Sequence, residues 1–79
     1  MDMENILKLH EAIAVVLLSK ENRQASTIEI ATIINQRNLY KRKDGLPVPD
    51  YQIKQRTLLS KGQYHHLFSF EKPNTIKLK

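Results

Sequence analysis

The residues of this chain best suited to act on another molecule are amides and cations gathered in one stretch: Gln52, Gln55 and Arg56, with Lys54 and Lys61 beside them. A glutamine amide pairs a donor and an acceptor with the edge of adenine, and an arginine fork pairs two donors with guanine. On one surface of a helix, Gln52, Gln55 and Arg56 would read base edges in a major groove. An ordinary solvated helix face has the same composition, and Arg56 falls near the Ile53 side, from which it could instead hold the preceding connector. Lys41, Arg42 and Lys43 come just before this stretch, and Lys72 and Lys77 lie towards the C-terminus. With Lys54 and Lys61 they are suited to phosphate oxygens, which position a protein on a duplex without reading it. Exposed strand lysines also guard against edge-to-edge pairing, so Lys72 and Lys77 have a second explanation.

Catalytic chemistry finds little to use. There is no cysteine, hence no thiolate nucleophile, disulfide or thiolate zinc site. His65 and His66 are adjacent rather than four apart, and no third ligand accompanies them. His10-Glu11 is followed by Ala14 where a zinc-protease helix needs its second histidine. The two glycines, Gly45 and Gly62, cannot form a phosphate-cradling loop, and no serine sits in a nucleophile elbow. Tyr40, Tyr51 and Tyr64 are too dispersed to favour a stacking platform over packing. The expectation is a binding module, not an enzyme, with no cofactor, metal or small-molecule substrate.

Charge supports this direction. Residues 1–36 carry three Lys or Arg against five Asp or Glu, a net −2, whereas residues 37–79 carry ten against three, a net +7. One positive end attracts polyanions and speeds their encounter. At 79 residues the chain is one small domain. Its longest apolar run, Ala12 to Leu18, is far short of the ~20 residues that span a bilayer, and its acidic start is unlike a signal peptide.

The elements follow from periodicity. Ile6, Leu9, Ile13, Val16 and Leu17 predict a helix from about Asn5 to Lys20, with Asp2 and Glu4 at its positive end. Because Ala12 to Leu18 is apolar nearly all round, this helix should touch neighbours on more than one side. Glu21 to Ala25 reads as a loop. Ser26 and Glu29 form a capping box that opens a second helix, whose buried stripe would be Ile28, Ala31, Ile33 and Ile34, ending near Asn38. Leu39 to Pro49 is a connector with an Asp44-Gly45 turn. Asp50 is the expected N-cap of a third helix that buries Ile53, Thr57 and Leu58 and stops before Gly62. Two strands around Glu71-Lys72-Pro73-Asn74 would bury Phe68, Phe70, Ile76 and Leu78 against the helices. The predicted class is α+β, a winged helix-turn-helix with three helices followed by a two-stranded β-hairpin wing.

At the connector the sequence also resembles a known family. Asn38-Leu39-Tyr40-Lys41-Arg42-Lys43-Asp44-Gly45-Leu46-Pro47-Val48-Pro49, then Gln52-Ile53 with Arg56, then Tyr64-His65-His66-Leu67-Phe68, is similar to the HARE-type helix-turn-helix. His10-Glu11-Ala12-Ile13, Ser26-Thr27-Ile28-Glu29-Ile30 and Asn74-Thr75-Ile76-Lys77-Leu78 fit the same pattern. Leu58-Leu59-Ser60-Lys61-Gly62-Gln63 is where the match in length is loosest. The resemblance implies a winged helix within a longer protein, as in restriction endonucleases, chromatin regulators like the additional-sex-combs protein, and the delta subunit of bacterial RNA polymerase. It implies double-stranded DNA as partner, contact with other domains of a parent protein, and a cytoplasmic, nucleoid-associated (or, in a eukaryote, nuclear) location. The alternative expectation is a protein-interaction or dimerisation winged helix of the transcription machinery, using Leu46, Val48 and Tyr51 as an apolar patch.

Overall fold

A computed structural model describes residues 6–71 and 74–79. Helix α1 spans Leu9–Leu18, strand β1 Gln24–Ser26 and helix α2 Thr27–Arg37. Helix α3 opens as an α-helix over Asp50–Lys54, widens to a π-helix over Gln55–Leu59 and tightens to a 3-10 turn over Ser60–Gly62. Strands β2, Phe68–Glu71, and β3, Thr75–Leu78, complete a three-stranded antiparallel sheet in the order β1-β3-β2.

The third strand corrects the predicted two-stranded hairpin and the predicted loop over Glu21 to Ala25. Arg23 turns the chain at φ 53°, and Ala25 then pairs with Ile76, flanked by Gln24 with Lys77 and Ser26 with Thr75. The ladder is extended at both ends, where Leu78 N–H donates to the Arg23 carbonyl and Thr27 N–H to that of Asn74, each at 2.9 Å. Three residues with a single apolar side chain have no readable period, so backbone pairing makes this strand. The sheet alternates as strands must. Ala25, Ile76 and Phe68 are buried, whereas Lys77 on the opposite face is exposed.

One core unites all elements. Leu9, Ile13, Val16 and Leu17 of α1 meet Ile30 and Ile34 of α2, Ile53 of α3 and the sheet's Phe68 and Ile76. As expected, α1 touches neighbours on more than one side, packing on α2, β3 and α3, although Val15 and Leu18 are exposed. The predicted start at Asn5 is too early. Ile6 is 96% exposed, and the first turn forms at Leu9, where the Lys8 N–H donates to the Glu11 carboxylate at 2.8 Å. Asp2, Glu4 and Asn5 lie outside the described residues.

Helix α2 starts at the predicted Ser26 cap, but only half of the expected capping box forms. The Ser26 Oγ accepts the Glu29 N–H at 3.0 Å, whereas the Glu29 carboxylate takes the Lys20 ammonium, tying the end of α1 to the start of α2. Of its expected stripe, Ala31 and Ile34 are buried and Ile33 packs half-buried against the core, but Ile28 is 63% exposed, and Thr27 and Ile30 are buried instead. The helix ends at Asn38, whose left-handed φ of 53° lets the Leu39 N–H reach the Ile34 carbonyl at 3.0 Å. The N-cap of α3 is Pro49, not Asp50, which is the first helical residue. At its other end Lys61 and Gly62 both have positive φ, and the His65 ring lies over Gly62.

Candidate nucleic-acid interface

The predicted site residues sit on three supports: the connector, α3 and the sheet. The connector is not a loose loop. Asn35 of α2 grips Val48 twice, its Nδ2 donating to the Val48 carbonyl at 3.0 Å and its Oδ1 accepting the Val48 N–H at 2.9 Å. Val48 is thereby drawn into the core at 3% exposure. This corrects the apolar patch expected around it, of which only Leu46 and Tyr51 are exposed. Sequence reasoning passed over Asn35 because a polar residue late in a helix looks like solvated surface.

The basic run turns tightly. The Gly45 N–H closes on the Arg42 carbonyl at 3.0 Å with Gly45 at φ 77°, and the Asp44 carboxylate accepts the Leu46 N–H at 3.0 Å. The same carboxylate pairs with Arg42 at 2.8 Å. Arg42 is therefore held as half of an ion pair, while Lys41 and Lys43 are exposed. Tyr40, Arg42, Lys43, Asp44 and Gln52 line an open hollow of about 300 Å³ between the connector and α3. Gln52 thus faces the same hollow as Arg42 and Lys43.

Helix α3 buries Ile53 and Thr57, and the Thr57 hydroxyl donates to the Ile53 carbonyl at 2.9 Å. That leaves Tyr51, Lys54 and Gln55 exposed and Gln52 and Arg56 half-buried. The three predicted base readers are consequently not equivalent. Gln55 is the most outward, Gln52 flanks the connector hollow, and the Arg56 charge acts on His10 of α1. Lys54 leans over Phe70 of β2, its Nζ 5.9 Å from the ring centroid, within cation–π range. Phe70, expected in the core, is 37% exposed. Lys61 is exposed on the left-handed turn that ends the helix.

The sheet supplies less than expected. Lys77 stands on the central strand between Gln24 and Ser69, on the face opposite Ile76 and so turned away from the helical core. It does not share a surface with Lys54. Lys72 lies outside the described residues.

Two of the histidines, His10 and His65, have local partners. His10 stacks on Tyr64 with ring centroids 4.3 Å apart, and its Nδ1 is buried with no hydrogen-bond partner among the described residues. Burial lowers its pKa below the usual 6.5, and the charges of Arg56, Lys8 and His66 act in the same direction against Glu11. His65 Nε2 lies 2.7 Å from the Leu58 carbonyl at the end of α3. Among the described residues no group of three His, Cys, Asp or Glu could hold a metal ion. No helix there is long and apolar enough to cross a membrane.

No family model, no curated protein and no solved structure matches this chain.

Proposed function

We propose that this domain is a winged helix-turn-helix of the HARE type that binds double-stranded DNA. In this reading α2 and α3 are the helix-turn-helix, β2 and β3 the wing, and α3 docks in a major groove. The observation that carries it is the surface of α3: Tyr51, Lys54 and Gln55 are uncovered, and Gln52 lies beside the connector cations. The order helix, strand, helix, helix, strand, strand supports the assignment. The +7 of residues 37–79 supports a polyanionic partner. Gln55 and Gln52 would contact base edges, with Arg56 in the set only if it leaves the neighbourhood of His10. Lys41, Arg42, Lys43, Lys54 and Lys61 would contact phosphates. The domain would act by binding, as the target-recognition part of a restriction endonuclease or a comparable parent protein, with catalysis supplied elsewhere. Its place would be wherever that DNA is, the nucleoid or a nucleus.

The triple variant Gln52→Ala, Lys54→Ala, Arg56→Ala is expected to lose duplex binding in a gel shift while its far-UV circular dichroism stays native. Unchanged affinity in a folded triple variant would remove α3 from the reading. One observation favours the protein-interaction alternative: Leu46 and Tyr51 are exposed apolar side chains at the connector and α3. A concentration-dependent dimer on a sizing column, indifferent to DNA, would support that alternative.

A further inference from the structure

From the surface shared by α3 and β2 we infer a second nucleic-acid contact, for unpaired bases of single-stranded DNA. Tyr51 and Lys54 are three residues apart on α3, so their side chains are neighbours on one helix face. Lys54 in turn reaches over the ring of Phe70 on β2, 5.9 Å away. The result is an aromatic–cation–aromatic strip that crosses from helix to sheet, and it is uncovered. Tyr51 is 58% exposed, and Phe70 is exposed although the alternation of its strand aims it inward.

An apolar ring left in water beside a cation is the combination that single strands use. Bases stack on the aromatic faces, and the cation takes the phosphates between them. A duplex hides its bases' faces, so the strip has nothing to stack on unless bases are unpaired, as at a melted site or a frayed end. The net +7 of residues 37–79, with Lys54 between the two rings, favours a polyanion that also offers planar faces, which unpaired DNA does. Asp50 and Glu71 adjoin the strip in sequence and are exposed, which limits it to few phosphates and a short site. The contact does not depend on α3 docking in a major groove, so the two can fail separately.

The test uses the full chain and fluorescence anisotropy with three labelled probes. These are an oligothymidylate of about twelve nucleotides, an abasic strand of equal length and charge, and a blunt duplex. The oligothymidylate is expected to bind about tenfold more tightly than the abasic strand. Tyr51→Leu and Phe70→Leu should each remove most of that advantage, and Tyr51→Leu, at a site outside the core, should leave thermal stability unchanged. Equal binding of the thymidylate and abasic strands would overturn the proposal, as would a thymidylate preference untouched by Tyr51→Leu. A wild-type preference for thymidylate without any duplex binding would sustain it and defeat the duplex reading instead.

Discussion

At the scale of single residues, two polar side chains inside the domain have consequences that can be measured. Asn35 joins α2 to the connector through both of its amide atoms. Asn35→Ala would leave the N–H and C=O of buried Val48 without their partners. The expected loss of stability is about 2–3 kcal/mol by urea denaturation. Asn35→Asp keeps the acceptor but not the donor, and should also destabilise. His10 sets a pH dependence. Its folded pKa lies below 6.5 because burial disfavours the charged ring. Near and below that value the unfolded chain therefore binds more protons than the folded one, and stability falls as pH falls through 6.5. Comparing melting temperatures at pH 7.5 and 5, His10→Phe should show a smaller acid loss than the wild type, since it keeps a ring against Tyr64 and has no proton to gain. An equal loss in both would remove His10 as the source.

At the scale of elements, the end of α3 is the most constrained join. Gly62 has φ 75° and lies under the His65 ring, its Cβ position 3.4 Å from Nδ1. Gly62→Ala must adopt a left-handed conformation and should cost about 1–2 kcal/mol, read from the shift in the urea midpoint. Long elements were legible. The stripes Leu9, Ile13, Val16 and Leu17, the Ser26 cap, the Asn38 stop, and the alternation of β2 and β3 all follow from period and capping chemistry. What was not legible depends on partners distant in the chain. Strand β1 is made by its bonds to β3, and α2 is rotated enough to bury Ile30 and expose Ile28. The π-helical widening over Gln55–Leu59 leaves no mark in a polar-apolar pattern. For the candidate site, the cations and amides were visible as types, but their distribution was not. Lys77 is exposed on the outer face of its strand, as alternation with Ile76 and Leu78 requires; that this face lies opposite the helical core depends on the pairing of β3 with β1 and β2. The element-level prediction is that Lys77→Ala weakens duplex binding less than Lys54→Ala in the same assay. The reverse order would mean that the outer face of the sheet is the DNA-binding side.

At the scale of the whole molecule, the charge is divided as the proposed role requires. The acidic first 36 residues supply α1, β1 and nearly all of α2, and the basic remainder supplies the connector, α3 and the β2–β3 hairpin. Attraction to a polyanion would then act through the segments that carry the proposed reading residues. Such binding displaces condensed counterions, so affinity must depend on salt in proportion to the phosphates engaged. The direct test is fluorescence anisotropy of the intact chain with a random duplex over a series of salt concentrations. For several connector and α3 cations on the backbone, log affinity should fall linearly with log salt at about −0.9 per phosphate contact, a slope of roughly −3 or steeper. No binding at low salt, or binding whose strength does not change with salt, would contradict duplex DNA as the partner.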